Sequence, residues 1–492
     1  MGTIEKQSIQ GTIYIYFGVL LGFVNSAILF PKFLDPDEIG LTQILVSYTM
    51  IFAQFGNLGF QAATTRLFPY FRDKEKGHHG FLFLATIVSL IGFLLSVVVL
   101  LILKPSLIED KAGQTDMFAD FFNYIIPLIL FTIFFNAFDH YIKVVAYNAV
   151  KGTFYKELLQ RLLISVSIIL FATGTVNFNQ FVFSYVVSLA LPSVFITISL
   201  IKSGNFYLKP DFAFITKDMA LSLASLSLFG IISGASGMII AYVDRIMIQS
   251  LIDLKAVGIY SVCFYFGTLI IMPSRTLLKI SSIYISEAWK INDLQTINTI
   301  YFKSCLNQFL VGSLLLAGIW VNINNVFEIL PAEYEAGKYV ILFIGFAYLT
   351  DMTSGVSQTI IGNSRYYRTQ TYFMIVYIGV IILSNYILIP KYGITGAALA
   401  SALSKLFIGI VRILFIYFKF KLFPFNHKFI IVAIIAALSY ITGFYVPDFS
   451  NYIFDILFRS LATAGIFIVF TLLFRVSDDV NRIYTSCMIW IK

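Results

Sequence analysis

Charge is scarce in this sequence. Only 12% of the 492 residues are Asp, Glu, Lys or Arg, against 59% hydrophobic, and the mean hydropathy is +0.85. A soluble chain carries about a quarter charged residues, so a water-soluble domain is excluded as the bulk of the molecule. Cysteine is nearly absent. Cys263, Cys305 and Cys487 are far apart and without metal spacing, which argues against a disulfide framework or a thiolate metal site. No Gly-rich phosphate loop ends in Lys-Ser or Lys-Thr, and there is no His-Glu-x-x-His and no Cys-x-x-Cys. His78, His79, His140 and His427 fall near the ends of apolar runs and read as interfacial residues. Every break between apolar runs is short, so no loop can hold the clustered carboxylates or arginines of a glycosyltransferase or polymerase. The reading is a transporter and not an enzyme.

Long apolar runs are abundant. Fourteen membrane spans are expected, near 11–30, 40–61, 80–103, 121–142, 157–176, 181–201, 222–250, 257–277, 303–325, 338–361, 370–390, 394–418, 428–446 and 452–474. The first follows the polar start MGTIEKQSIQ without a small-residue cleavage site and reads as a retained span. The loops alternate in charge. Basic ones include RLFPYFRDKEKGHH, the segment around the fourth and fifth spans with Lys143, Lys151, Lys156 and Arg161, the linker 202–219 and the turn with Arg365 and Arg368; acidic ones carry Asp35, Asp37 and Glu38, then Glu328, Glu333 and Glu335. Basic loops stay in the cytoplasm, and an even span count then places both termini inside. The net charge of +8 is spread over these loops and does not suggest nucleic acid.

The second run, GLTQILVSYTMIFAQFGNLGFQ, holds a polar stripe. Gln43, Ser47, Gln54, Asn57 and Gln61 share one helical face, with Met50 in the same phase. Such a stripe must be hidden from lipid, against other helices or along a water-filled path. The frame returns 218 residues later as GIYSVCFYFGTLIIMPSRTLLK, with Ser261, Tyr265, Thr268, Met272, Arg275 and Lys279 in register. A second match sets AYNAVKGTFYKELLQRLLIS beside IIGNSRYYRTQTYFMIVYIG, with Asn148 meeting Asn363 at an offset near 215. Six spans separate the copies, so both have the same orientation. The expected organisation is an N-lobe over 1–209, a C-lobe over 210–421, and two appended spans with a tail over 422–492. The segment EAWKINDLQTINTIYFK is expected as an amphipathic surface helix.

Ionisable groups inside spans mark the candidate site, since each needs a partner, water or a snorkelling path. Asp244 and Arg245 follow the small-residue run SLASLSLFGIISGASG; an interfacial ion pair and a cation or substrate contact are both open for them. Asp351 sits among Thr350, Thr353, Ser354 and Ser357, with function and structural pairing both open. Lys405 lies within the twelfth span, and Asn25 in the first is a weaker candidate wall residue. Asp139 has Lys143 one turn on, and Asp455 has Arg459, as expected of internal pairs. Arg275 and Lys279 read either as a cationic mouth or as topology signals.

The phrases LFPKFLDPDEIGLTQILVSYTMIFAQFGNLGFQAATTRLF, DRIMIQSLIDLKAVGIYSVCFYFGTLI and LIPKYGITGAALASALS resemble the polysaccharide transporter branch of the multidrug/oligosaccharidyl-lipid/polysaccharide (MOP) exporter superfamily, the Wzx-like lipid-linked oligosaccharide flippases. The resemblance covers nearly the whole chain. It implies an all-α membrane fold with two six-helix lobes around a cavity that opens alternately to each side, in a bacterial cytoplasmic membrane. The implied cargo is undecaprenyl diphosphate bearing an oligosaccharide repeat unit, and the implied partners are that lipid, the surrounding bilayer and polysaccharide polymerase or assembly proteins. Cationic residues would hold the diphosphate; Arg245, Arg275, Lys279 and Lys405 are the candidates here. No cofactor is implied beyond a coupling Na+ or H+, for which Asp244 and Asp351 are candidates on burial alone. The competing reading is an ion-coupled drug or metabolite antiporter of the same superfamily, which would favour acidic cavity residues.

Overall fold

The computed structural model describes residues 3–108, 116–482 and 485. Helices are the regular elements among these residues, and they divide into two compact units, Met1–Gly258 and Ile259–Lys492.

In the first unit, α1 (Thr3–Phe23) continues through a π-helical turn, Val24–Leu29, to Phe33. Next, α2 (Pro36–Gly56) begins with Pro at its first position, and Glu38 reaches back to accept from the Asp35 amide at 3.0 Å. Then follow α3 (Phe60–Phe71), α4 (Phe81–Ile108) and α5 (Ile125–Val145). A second π-helical turn, Phe154–Leu159, leads into α6 (Gln160–Ala172), and α7 (Phe178–Lys202) and α8 (Lys217–Leu251) complete the unit. Of the central stretch of α2, 72% is buried, against 22% for α4, whose Leu94 and Ile102 stand in the open. So α2 is the enclosed helix of this unit and α4 a lipid-facing one. At 35 residues, α8 is longer than a bilayer requires and lies along both α2 and α3.

The first turn of α9 (Leu254–Thr268) also belongs to the first unit. The rest of α9 joins α10 (Ser274–Lys290), α11 (Leu294–Val321), α12 (Lys338–Thr353), α13 (Ser357–Asn363), α14 (Thr369–Phe420), α15 (His427–Phe444) and α16 (Tyr452–Leu473) in the second. The segment Ala332–Thr353 and α13 meet at a 46° bend. The bend turns on Gly355, whose φ is +53°; a Cβ there would lie 2.4 Å from the Ser304 hydroxyl. That hydroxyl accepts from the Val356 amide at 3.0 Å, so α11 supplies a partner freed by the break.

The sequence repeat has a structural counterpart. Pro36 opens α2 and Leu254 opens α9, positions that differ by 218. Both α4 and α11 have 28 residues and start 213 apart, at Phe81 and Leu294.

Three expectations change. The stripe helix does not run unbroken to Gln61. It ends at Asn57, because Leu58 and Gly59 take left-handed φ of 46° and 65°, and Gln61 starts a new helix. Gly59 is required there, since a Cβ would fall 2.0 Å from the Ser227 carbonyl of α8. The amphipathic surface helix is Ser274–Lys290 and not the segment after it: Ile280, Ile283 and Tyr284 are exposed, Ile285 and Ala288 buried, and Asn292 at φ 53° turns the chain into α11. Finally, among the described residues eleven helices are long and apolar enough to cross a membrane, or twelve with the bent pair, where fourteen spans were expected. The difference lies at two places. Segment 150–172 is helical but carries Lys151, Lys156, Glu157 and Arg161, which lower its hydropathy. The 52-residue α14 folds back on itself at Gly393 (φ 59°, ψ −141°), where the hydroxyls of Ser384 and Ser404 meet at 3.0 Å.

Candidate functional site

The polar stripe of α2 is enclosed within the first unit. Gln43, Ser47, Gln54 and Asn57 are all buried. The Ser47 hydroxyl donates to the Gln43 carbonyl at 2.6 Å, the short-range bond by which Ser satisfies itself in a helix. Along the outer side of the stripe runs α8, antiparallel. The Tyr48 hydroxyl donates to Gln249 at 3.1 Å, and Gly234 makes room for the Gln54 amide, which a Cβ at that position would meet at 2.1 Å. The Asn57 amide nitrogen has no hydrogen-bond partner among the described residues. Gln61 is half-buried on α3. Asp244 and Arg245 are both buried on α8, and Arg245 donates to the Ala241 carbonyl at 3.2 Å.

The adjacent face of α2 opens on a narrow cavity between α2, α5, α7 and the second π-helical turn. Thr49, Met50, Thr132, Phe135, Lys156 and Gln160 line it. The Lys156 ammonium stands 5.1 Å from the centre of the Phe135 ring, a cation–π contact strengthened where water is excluded. No carboxylate lies within 4 Å of it among the described residues. The sequence reading treated Lys156 only as an orientation signal; its spacing of four from Gln160, which sets both on one helical face, was the sign available.

The second unit brings together two candidates 54 residues apart. Lys405 donates to Asp351 at 3.1 Å. The same ammonium lies 4.2 Å from the Tyr348 ring centre, and Arg412, buried on the next turns of α14, adds a second positive charge to the surroundings of Asp351. Asp351 is therefore already neutralised by an internal cation. Lys405→Met is expected to lower stability by about 1–3 kcal/mol, because it strands the carboxylate, while Asp351→Asn with Lys405→Met recovers much of the loss. Denaturant unfolding of the single and double variants in detergent checks this; a double variant whose loss equals the sum of the two single losses would mean that the pair is not coupled.

Other polar groups inside spans prove structural. Asn25 donates to the Arg161 carbonyl at 2.9 Å and accepts from Ser165 at 2.7 Å, joining α1 to α6. Asp139 pairs with Lys143 and Asp455 with Arg459, as expected. In the second stripe, Ser261 is fully buried, Tyr265 half-buried, and the Thr268 hydroxyl donates to the Tyr265 carbonyl at 2.7 Å. The stripe helix breaks after Thr268, before Arg275 and Lys279, whose side chains lie outside the described residues.

A family model described as "Polysaccharide biosynthesis protein" matches residues 6–282, more than half of the chain. The chain belongs to this family. Its fold matches a solved structure of the lipid II flippase MurJ in an inward closed conformation with a TM-score of 0.76, at 16% identity, over 95% of this chain and 98% of that one. An inward-facing multidrug resistance MATE family transporter of the MOP superfamily matches at 0.63 and 12% identity, over 83% and 97%. A MOP superfamily transporter from Pyrococcus furiosus, described as having a binding pocket of reverse polarity, matches at 0.55 and 14%, over 84% and 95%. No curated protein matches the chain. This polysaccharide-biosynthesis family member thus has the all-helical MOP transporter fold that its sequence resemblance implied.

Proposed function

We propose that the chain is a flippase that moves undecaprenyl-diphosphate-linked oligosaccharide repeat units from the cytoplasmic to the outer leaflet, for surface polysaccharide synthesis. The family match over residues 6–282 carries this reading, and the fold shared with a lipid II flippase supports it. A sugar head group crossing hydrocarbon unaided must shed water from many hydroxyls. A polar path within a helical protein removes that barrier without covalent chemistry, and alternating access moves the cargo through it.

Interior charge favours an anionic cargo over the antiporter reading. A carrier of cationic drugs needs a carboxylate open to the cargo or to a coupling ion. Here Asp351 is occupied by Lys405, and Lys156 presents an ammonium to its cavity with no carboxylate within 4 Å of it among the described residues. The membrane potential supplies about 2.3 kcal/mol per charge per 100 mV, and on a cell negative inside it drives net negative charge outward. Asp244, buried on α8, stays a candidate for a coupling Na+ or H+.

The test is deletion of the gene in its native host, followed by extraction of lipid-linked oligosaccharides and assignment of their leaflet. The expected result is complete repeat units held on the cytoplasmic leaflet and loss of surface polysaccharide. Unchanged lipid-linked sugars with altered drug sensitivity would replace this reading by the antiporter. Lys156→Gln, expressed at normal level, is expected to reduce export of the glycan at least tenfold if the cation holds the diphosphate; full export would remove Lys156 from the path.

A further inference from the structure

One end of the second unit carries a built cavity that the transport reading does not use. It measures about 400 Å³ and is formed where α10 ends, α11 begins, α13 ends and α14 ends. A pocket of this size suits a small ligand or a lipid head group. Its walls include Trp289, Phe420, Asn363, Arg365, Lys419 and Lys421, and no carboxylate lines it. The aromatic floor is fixed: the Trp289 indole donates to the Ile360 carbonyl at 3.1 Å and packs edge-on to Phe420 at 5.0 Å between ring centres.

The three cations are exposed, and none has a carboxylate within 4 Å among the described residues. They are held instead by aromatic faces. Arg365 lies 4.9 Å and Lys419 5.5 Å from the Tyr366 ring centre, and Lys421 lies 5.7 Å from that of Tyr417. The nearby Asp293 does not compensate them; its carboxylate accepts from the Thr296 amide at 3.0 Å and caps α11. The first repeat shows the contrast. There Arg72 beside Tyr147 spends its guanidinium on the Val144 carbonyl, and Asn148 accepts from the Val150 and Lys151 amides. The second copy leaves its cations open.

The rim decides what kind of anion fits. Ile291 is 73% exposed and Phe418 65%, and Tyr367, Tyr417 and Phe423 also stand out. Aromatic side chains beside Lys and Arg mark the head-group layer of a bilayer, and basic pockets between spans at the cytoplasmic face suit phosphate-bearing lipids. A soluble phosphate gains nothing from this apolar rim, whereas a phospholipid lays its acyl chains along it. We propose that this pocket binds the phosphate head group of an anionic phospholipid of the surrounding leaflet. The assignment does not depend on which cargo is carried, and it stands or falls separately from the flippase reading.

Trp289 gives the measurement. The full-length chain with Trp320→Phe and Trp490→Phe keeps one tryptophan, in the pocket. It is reconstituted in vesicles of phosphatidylcholine containing small fractions of brominated phosphatidylglycerol or brominated phosphatidylcholine, and quenching is followed with lipid fraction. The expected result is half-maximal quenching at a far lower fraction of the anionic lipid. Each cation is worth roughly fivefold in that preference, so Lys419→Gln should reduce it about fivefold and the triple variant Arg365→Gln, Lys419→Gln, Lys421→Gln about a hundredfold. All three side chains are exposed, so the variants are expected to keep the size-exclusion profile of the parent. Equal quenching by the two lipids, or a preference untouched by the triple variant, would overturn the proposal. Inorganic phosphate that shifts Trp289 emission in protein showing no lipid preference would do so too, by assigning the pocket to a soluble anion.

Discussion

Arg459→Leu is expected to destabilise the protein by about 3–5 kcal/mol, the cost of leaving a buried carboxylate without its cation. Arg459 and Asp455 are both buried near the start of α16. The guanidinium donates to Asp455 at 2.6 Å, to the Gly443 and Phe444 carbonyls at 3.3 Å each, and to Asp448. Asp455 also accepts from Asn325 at 2.6 Å and from the Phe449 amide at 3.1 Å. One cation therefore satisfies the last carbonyls of α15, the turn after it and the first turn of α16, and Asp455 extends the network to the helix Ile323–Ile329. Leucine leaves a buried carboxylate and two carbonyls without it. Asp455→Leu with Arg459→Leu should lose less than Arg459→Leu alone, since no charge is stranded. Arg459→Lys should recover little, because an ammonium cannot span the same acceptors. Reversible unfolding in mild detergent is the measurement. A loss under 1 kcal/mol for Arg459→Leu would show the network to be solvated and of little weight.

The second large effect is expected at two glycines. Gly40 and Gly258 lie in the first turns of α2 and α9, where the helices touch backbone to backbone. A Cβ on Gly40 would fall 2.0 Å from the Leu254 carbonyl oxygen, and one on Gly258 would fall 1.9 Å from that of Pro36. The obstacle in each case is main chain, which no rotamer change can clear, so even alanine must push the helices apart. Overpacking of this kind costs about 1–3 kcal/mol. In a transporter that exchanges between arrangements, a cost borne by only one of them shifts the population by roughly 5- to 150-fold. Gly40→Ala and Gly258→Ala are thus expected to reduce glycan export at least fivefold while leaving protein level near normal. Asp37 lies beside Asp253, and a cysteine pair at these positions reports the contact directly. Cross-linking should be efficient in the parent and weak in either alanine variant. Unchanged cross-linking and export would show that the crossing has slack.

Much of the frame was legible from spacing. The 218-residue offset placed the openings of α2 and α9, and the pairs Asp139–Lys143 and Asp455–Arg459 followed from one-turn separations. What failed to show was anything that depends on a neighbouring helix. The phase of the α2 stripe continues through Asn57 to Gln61, so periodicity gave no sign of the break; the break is imposed by the approach of α8 at Gly59. Asp351 and Lys405 were each visible as charges in apolar runs, but their pairing across 54 residues depends on how α12 and α14 pack. Lys156 was read with the loop cations because charge near a span boundary is ordinarily a matter of topology, and only the packing of α5 and α7 around it makes a cavity wall. The pocket over Trp289 needed four helix ends to converge, which no local pattern encodes.

The contact between α2 and α9 has one further property. Pro36 meets Gly258 and Leu254 meets Gly40, and each pair is the image of the other, since Leu254 and Gly258 stand 218 residues after Pro36 and Gly40. Residue i touches j′ while j touches i′, which is the signature of an isologous two-fold interface between identical subunits. Such a patch is self-complementary before any fusion joins its halves. At this point the chain makes the contact that a symmetric homodimer of half-length chains would make. In such a dimer one glycine-to-alanine change would strike both halves of the interface at once; in this single chain Gly40 and Gly258 are separate positions, and either half can be changed alone.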